Sequence, residues 1–402
     1  MTHARTADEA RVIDYLVVAG WAKDFLASPA SARDAASTAL ERWVRAGLPF
    51  SRLPGGERGF DPAEVMNFAK SAGVSGRDEF WSARYVETGR SLVREFGAQP
   101  QELGPRGFRL RLERAFNLEH HAPGKRVRLR VPFPADSPML TELQSLSLPA
   151  GSRTQPGYAE AFVVVPESRA CVLSADYAFA ARPAPSPGVM PLDAAELDLY
   201  LRPRELLVTV SPRIEALASE LAGGARTALD AVRSFWSFFF DRMMLGVLHG
   251  ETTLDAVLDS GWFDCRTGSS LLVALCRARG IPARACSGFT LCSVPSYHYW
   301  AEIWLGERGW FPLDLVCWDL SLRGADEGWR DYFFGALDYR MTFEVQPRTF
   351  AGLPSIRLPR GWYPMTRPIE GGAAFGLFAA ESGSLVYEDR VTVNANAGPL
   401  LP

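Results

Sequence analysis

The chain has 402 residues, of which 47% are hydrophobic and 22% charged, and its formal net charge is −3. This length allows about two or three domains with cores of their own, so stability requires neither disulfides nor a metal. The weak negative charge gives no support to a nucleic-acid or anionic-membrane partner. No apolar run approaches the ~18 residues that a membrane-spanning helix needs.

The cysteines are sparse, and their distribution argues against two kinds of site. Five of the six lie between positions 265 and 317, without a C-x-x-C pair. This argues against a disulfide scaffold and against a zinc ribbon. The first ten residues are polar and lack the apolar core of a signal peptide. We therefore expect a cytoplasmic protein without a metal site.

Residues 1–104 are predicted to form a helical region. Apolar residues recur at helical spacing over 12–26, and a second helical stretch over 31–46 is followed by glycine and proline. An Asp-Pro pair at 61–62 is typical of a further helix start, and another helix is predicted over about 78–96.

Residues 105–188 change to the two-residue period of half-buried strands. Phe108, Leu110 and Leu112 alternate with charged residues, and the same alternation recurs from Val127 to Phe133. We expect a small antiparallel sheet or sandwich here, ended by a proline-rich linker at 182–188.

Residues 189–345 are predicted to hold helices followed by strands. Ser211-Pro212 and Thr227 each start a predicted helix. A helix beginning at Cys265 ends before Gly280, and three strands follow it over 283–289, 297–305 and 310–315. Residues 346–402 are predicted to be a Pro/Gly-rich segment with one final strand.

Cys265 has the best position for chemistry because it begins a predicted helix. A helix N-terminus favours the nucleophilic thiolate, and its backbone N–H groups can point at a developing oxyanion. Gly261 and Gly268 suit a close approach of the backbone. A single cysteine is more often a small buried hydrophobe, and Cys276 and Cys286 fit that role.

His298 and Asp314 lie on two predicted strands that follow Cys265. The turn at Gly306–Gly309 allows these strands to form a hairpin, which would bring Asp314 to the His298 ring. A neighbouring imidazole supports a thiolate, and an aspartate on the far ring nitrogen fixes the tautomer. Taken singly, His298 also fits a satisfied polar strand residue and Asp314 a turn cap.

The segment from about 195 to 320 resembles the transglutaminase-like superfamily, which has a papain-like cysteine-protease core. The resemblance rests on Arg277-Ala-Arg-Gly-Ile-Pro-Ala-Arg284, Ser287-Gly-Phe289, His298-Tyr-Trp-Ala-Glu302 and Gly309-Trp-Phe-Pro-Leu-Asp314. It implies Cys265 as nucleophile, His298 as general base and then acid, and Asp314 as the residue that orients His298. It also implies that residues 105–188 correspond to the β-domain often found before this core.

Two departures from the family pattern are expected to shape the substrate cleft. Phe263 stands where the family commonly has glycine, so the pair Phe263-Asp264 is expected to reshape the acyl pocket. Tyr299 replaces a common alanine and would narrow the cleft. The predicted substrate-binding residues are Trp262, Phe263, Asp264, Tyr299 and Trp300. A second oxyanion donor is not placed by the sequence, and Trp236 and Trp262 are candidates through their backbone or indole N–H groups.

We therefore expect an α+β protein in which the cysteine helix packs on an antiparallel sheet. A Cys265 acyl-enzyme would form from an amide or a carrier-bound thioester and pass its acyl group to an amine or to water, without a cofactor. The helical N-terminal region would cover the cleft and select the substrate, or would pack as a structural cap.

Two alternatives stay open at the level of the sequence. A cytoplasmic cysteine peptidase or amidase would use the same acyl-enzyme. A non-catalytic module that binds peptides in the same cleft would use none of this chemistry. Cys265→Ala separates them, because it abolishes either enzyme and spares the module.

Overall fold

The computed structural model describes residues 6–18, 29–61, 64, 65, 68, 103–185, 191–246, 253–291, 295–315, 317, 327–347, 362–379 and 384–394. Helices and antiparallel sheets combine along the chain, which confirms the predicted α+β class. The helix predicted over about 78–96 lies outside the described residues.

Among the described residues of the N-terminal region are helices and a small sheet. These elements are β1 (Ala7–Asp8), α1 (Glu9–Val18), α2 (Pro29–Arg45), β2 (Ser51–Arg52) and β3 (Arg58–Phe60). The strands lie in the order β1-β3-β2. Arg58 pairs with Glu9 of α1 and with Glu41 of α2, and so ties the sheet to both helices.

The next region is made of strands, as its two-residue period predicts. These are β4 (Arg106–Asn117), β5 (Arg126–Pro132), β6 (Leu140–Ser147), β7 (Arg153–Gln155), β8 (Tyr158–Val164) and β9 (Ala170–Ala181). In β4, Phe108, Leu110 and Leu112 are buried, whereas Arg109 and Arg111 are exposed. Burial on one face and charge on the other explains the alternation.

The helices of the third region have the caps that the sequence predicts. They are α3 (Ala194–Leu201), α4 (Pro212–Leu221), α5 (Ala228–Arg242), α6 (Leu254–Ser260) and α7 (Cys265–Ala278). The Ser211 side chain accepts a hydrogen bond from the backbone of Ile214 at the start of α4. Thr227 and Asp230 form a reciprocal capping box on α5.

Strands of the third region build the sheet that carries the site. In chain order they are β10 (Arg204–Glu205), β11 (Val208–Thr209), β12 (Met244–Leu245), β13 (Trp262–Phe263), β14 (Ala283–Thr290), β15 (Tyr297–Trp304), β16 (Trp310–Leu313) and β17 (Arg340–Val345). The last four form one antiparallel sheet in the order β16-β15-β14-β17. This includes the predicted β15–β16 hairpin. Helix α7 packs against β14 and β15.

The C-terminal residues contribute three strands, where the sequence predicted one. They are β18 (Trp362–Ile369), β19 (Gly372–Ala379) and β20 (Ser384–Asn394). Strand β20 pairs along β4, so the sheet has the order β18-β19-β20-β4-β9-β6. Residues 105–188 and 346–402, which the sequence analysis treated apart, therefore share a sheet.

The strand-rich region and the sheet of the third region meet in one buried cluster. Phe289 of β14 and Met341 of β17 are fully buried together with Phe108 of β4 and Val391 of β20. Ring centroids of Phe289 and Phe375 lie 5.8 Å apart in a stacked arrangement. This apolar contact fixes the outer end of β14 and β17 against the six-stranded sheet.

Candidate active site

The start of α7 presents Cys265 at the first helical position. The Asp264 side chain accepts the backbone N–H of Thr267 at 2.7 Å, and the Thr267 hydroxyl accepts that of Asp264 at 2.9 Å. Gly261 precedes this box in a left-handed conformation, with φ 69°. The first N–H groups of a helix have no partner inside it, so the Cys265 sulfur lies at a site that favours negative charge.

Gly268 lets the first turn of α7 approach its neighbours closely, as the sequence predicts. A Cβ at this position would lie 2.6 Å from the ring of Phe263 and 2.9 Å from Leu315. Both distances are shorter than van der Waals contact. Leu315 lies just after β16, so the turn that carries Cys265 is pressed against the sheet.

The structure brings His298 and Asp314 together across the β15–β16 hairpin. His298 Nε2 lies 3.0 Å from Asp314 Oδ1 and 2.8 Å from Oδ2. Asp314 is buried, and the His298 side chain retains 12% exposure. Cys265 lies close enough to His298 to raise the pKa of the ring together with Asp314. Because Asp314 holds Nε2, Nδ1 is the ring nitrogen left for the sulfur.

Opposing effects set the charge of His298. Burial lowers its pKa, but the negative charges of Asp314 and Cys265, with their hydrogen bonds, raise the pKa to about 10. The ring is therefore an imidazolium at neutral pH when its neighbours are ionised. An imidazolium beside a sulfur both stabilises a thiolate and holds a proton for a leaving group.

Arg340 is a buried cation behind Asp314 that the sequence analysis missed. Its Nη2 lies 2.5 Å from Asp314 Oδ2, it also pairs with Asp338, and its guanidinium carbon lies 4.9 Å from the centre of the Trp300 ring. Burial opposes its charge, but the two carboxylates outweigh it and raise the pKa of Arg340. Two charged residues in the apolar run Arg340–Val345 were the available signal.

Comparison with protein families agrees with this geometry. Residues 215–315 match the sequence model of the Transglutaminase-like superfamily. These residues form a transglutaminase-like domain. The matched range contains Cys265, His298 and Asp314, and it ends before β17, which supplies Arg340. The match supports a cysteine-dependent enzyme in general terms.

Solved structures with similar folds are distant from this chain. A proposed cysteine protease from Cytophaga hutchinsonii has a TM-score of 0.44 and 13% identity, over 75% of this chain and 94% of that one. The periplasmic domain of TgpA from Pseudomonas aeruginosa has a TM-score of 0.34 and 18% identity, over 58% and 95%. None of these likenesses is high enough to carry an argument about function. A search of curated proteins found no match.

The predicted substrate-binding residues of the transglutaminase-like domain fall into two groups. Trp262, Asp264 and Tyr299 are partly exposed. Phe263 and Trp300 are fully buried: the Phe263 ring lies 5.1 Å from that of Phe239, and the Trp300 indole N–H donates to Glu302 at 3.2 Å. Both rings therefore pack inside the protein against its own side chains.

Both tryptophans considered as oxyanion donors use N–H groups elsewhere in the domain. The indole N–H of Trp236 donates to the carbonyl oxygen of Arg330 at 2.8 Å. The backbone N–H of Trp262 donates to Ser260 Oγ at 3.2 Å. The Trp236 indole N–H and the Trp262 backbone N–H are therefore already used in hydrogen bonds within the domain.

Two features are absent from the part of the chain that the structure describes. Within it, no group of three or more His, Cys, Asp or Glu side chains is arranged to hold a metal ion. No helix in the same residues has the length and hydropathy needed to cross a membrane.

Proposed function

We propose that the protein is a cysteine acyltransferase in which Cys265 attacks the carbonyl of an amide or a thioester. The observation that carries this proposal is the contact of His298 Nε2 with Asp314 at 2.8 Å. This contact leaves the other ring nitrogen, Nδ1, to Cys265. The Cys265 sulfur and the His298 imidazolium, which is the general acid, therefore lie next to each other at a helix N-terminus, as acylation requires.

In the first half-reaction the thiolate forms a bond to the carbonyl carbon, and the carbonyl π electrons move to oxygen. The backbone N–H of Cys265 is positioned to donate to that oxygen. The intermediate then expels its leaving group, which takes the proton of His298. A thioester on Cys265 and a neutral imidazole remain.

In the second half-reaction His298 acts as a base. It takes a proton from an incoming amine or water as that nucleophile bonds to the thioester carbonyl. The proton converts the neutral imidazole back to the imidazolium. The thiolate leaves, and the product is an amide or a carboxylic acid. We favour an amine as the physiological acceptor and a peptide, amide or carrier-bound thioester as the acyl donor.

The same proposal extends to location. The described cysteines are all free, at positions 171, 265, 276, 286 and 317. This agrees with a reducing cytoplasm, where thiols persist.

The pH dependence of Cys265 alkylation tests the proposal directly. Iodoacetamide labelling, read by peptide mass spectrometry, is expected to be fast well below the free-thiol pKa of ~8.5. His298→Ala is expected to abolish that reactivity. Cys171 serves as an internal reference, because burial raises the pKa of its thiol. His121→Ala is a matched variant in a turn of the strand-rich region and should leave labelling unchanged.

Other outcomes would redirect the proposal. Labelling of Cys265 as slow as that of Cys171, and indifferent to His298, would favour the peptide-binding module. If labelling is fast, incubation with an activated ester and a primary amine distinguishes the enzymes. Amide product supports the acyltransferase, and acid product alone supports the peptidase or amidase.

A further inference from the structure

Four polar side chains form a hydrogen-bonded chain next to the candidate active site. In the sheet register Ser287 of β14 lies opposite Tyr299 on one side and Glu344 on the other, so the three share a face. Ser287 Oγ donates to Glu344 Oε2 at 2.5 Å. The Tyr297 hydroxyl lies 3.1 Å from Ser287 Oγ and 2.9 Å from the Tyr299 hydroxyl. None of these contacts is used in the reaction above.

The chain has a defined direction. A carboxylate only accepts hydrogen bonds, so the Ser287 hydroxyl donates to Glu344. Tyr297 has a single hydroxyl proton, and the nearest of its three oxygen neighbours is Tyr299, at 2.9 Å against 3.1 Å and 3.5 Å. Tyr299 therefore accepts from Tyr297, and its own hydroxyl proton points out of the chain.

Tyr299 follows His298 in β15 and lies on the opposite face of that strand, and helix α7 packs against β15. Leu313 of β16 pairs with Ala301, on the same face as Tyr299, and Leu315 follows it by two residues. Leu315 contacts the first turn of α7 at Gly268. Ser287 and Glu344 are fully buried, whereas Tyr299 is partly exposed. The chain thus runs from a buried carboxylate to a partly exposed phenol, and the charge of Cys265 acts on that phenol.

Burial, and after it the charge of Glu344, hold the pKa of both phenols, Tyr297 and Tyr299, well above the ordinary value for tyrosine. The charge of Cys265 also acts on the Tyr299 phenol in the same direction. A phenol that stays protonated beside a thiolate is suited to donate a hydrogen bond to a developing oxyanion.

We propose that Tyr299 donates its hydroxyl hydrogen bond to the acyl oxygen as Cys265 adds to the carbonyl, with Tyr297, Ser287 and Glu344 as positioning residues. This rests on the proposed function and places the second oxyanion donor, opposite the Cys265 backbone N–H. No proton is transferred: the oxygen gains the π electron pair, accepts both hydrogen bonds, and returns the pair when the leaving group departs with the His298 proton.

Two reactions of the same sulfur test this role. Alkylation by iodoacetamide forms no oxyanion, whereas acetylation by p-nitrophenyl acetate does. Both are read by mass spectrometry of the Cys265 peptide. Tyr299→Phe is expected to slow acetylation by about 10²-fold and to leave alkylation unchanged, because one oxyanion donor is lost and the thiolate is not.

Matched variants separate positioning from folding. Tyr177→Phe removes a buried phenol that donates to Pro132 in the strand-rich region, and both rates should stay the same. Tyr297→Phe keeps the Tyr299 hydroxyl but frees its direction, so acetylation should fall by less than in Tyr299→Phe. The double variant Tyr297→Phe/Tyr299→Phe should be no slower than Tyr299→Phe alone, because Tyr297 acts only through Tyr299.

Three results would overturn the inference and leave the proposed function in place. Unchanged acetylation in Tyr299→Phe would remove the phenol from the reaction. Equal losses in alkylation and acetylation would make Tyr299 a support for Cys265 rather than a donor. A wild-type ratio of acetylation to alkylation no higher than that of free cysteine would exclude any oxyanion donor, while the Cys–His pair would stand. Slow alkylation of wild-type Cys265 would instead overturn the proposed function and this inference together.

Discussion

Two buried arginine–aspartate pairs, one in each large sheet, use the same chemistry in different ways. In the six-stranded sheet Arg114 Nε and Nη2 meet the two oxygens of Asp389, each at 2.6 Å, and both side chains are 3% exposed. In the four-stranded sheet Arg340 pairs with both Asp314 and Asp338. Asp314 in turn contacts both Arg340 and His298.

The two pairs differ in whether the aspartate also contacts a third titratable side chain. The pair without such a contact is called closed, and the pair with one is called open. Arg114 and Asp389 stand opposite each other on β4 and β20 in a bidentate contact, and Arg114 Nη1 also donates to the carbonyl oxygen of Arg130 at 3.1 Å, so the pair joins strands. Asp314 keeps part of its hydrogen-bonding capacity for a third group, the imidazole. The open pair, whose aspartate also contacts His298, therefore indicates a functional site. The closed pair indicates a structural role.

The largest expected effect separates the two aspartates by reactivity. Asp314→Asn keeps the shape but loses the charge that orients and stabilises the imidazolium, so acetylation of Cys265 should fall by about 10³–10⁴-fold. Asp389→Asn is the matched control and should leave the rate unchanged in the folded protein. Equal rates of Cys265 acetylation in the two variants would contradict the distinction between the open and the closed pair.

Replacing each arginine by methionine compares the two pairs by the free energy of unfolding and by the rate of Cys265 labelling. Arg114→Met leaves Asp389 buried without a partner, and the free energy of unfolding in urea should fall by about 3–5 kcal/mol. Cys265 labelling should be unaffected while the protein is folded. Arg340→Met should lose stability and also slow Cys265 labelling. A loss of labelling in Arg114→Met below its unfolding transition would contradict the separation.

The pH dependence of stability should differ between the two sheets. The pKa of His298 is raised from 6.5 to about 10, so its stabilising contribution is complete below pH 6.5 and is lost as pH rises through 10. The difference in melting temperature between wild type and His298→Gln should therefore shrink over that interval. The difference for Arg114→Met should not, because arginine keeps its charge there. A constant His298→Gln difference would contradict the raised pKa.

The smallest effect comes from replacing each arginine by lysine. A lysine ammonium keeps the charge but lacks the planar fork, so Arg114→Lys should lose roughly 1.5–3 kcal/mol of unfolding free energy, as for one or two charged hydrogen bonds. Arg340→Lys should lose a similar amount and slow Cys265 acetylation by no more than about tenfold, since Asp314 stays ionised. An effect on the rate as large as that of Asp314→Asn would show that guanidinium geometry, not charge, governs the site.

The sequence predicts the local elements of the site because their determinants are local. The predicted helix start at Cys265 is confirmed, with Asp264 as its cap, and the glycine turn at 306–309 marks the hairpin that joins His298 to Asp314. Alternating burial in β4 is likewise set by neighbouring residues. The roles of the three site residues remain a proposal, while the helix and the hairpin are confirmed.

The residues that the sequence does not reveal depend on pairing between distant segments. Arg340 and Glu344 reach the site only because β17 adds to the free edge of β14, beyond the hairpin. No turn signal or spacing links positions 287 and 344. The pairing of β20 with β4 was missed for the same reason, since period and turn residues report which segments are strands but not which strands meet.

The β20–β4 pairing also constrains how the protein is made. Strand β4 emerges from the ribosome nearly three hundred residues before its partner, because Leu112 pairs with Val391. Until synthesis passes residue 394, β4 offers an open edge and Arg114 lacks its counter-ion. Non-local pairing of this kind is slow and exposes strand edges to aggregation. Nascent chains stalled before β20 should therefore depend on chaperones, whereas the Cys265 helix and its hairpin, only tens of residues apart, can assemble as soon as they are synthesised.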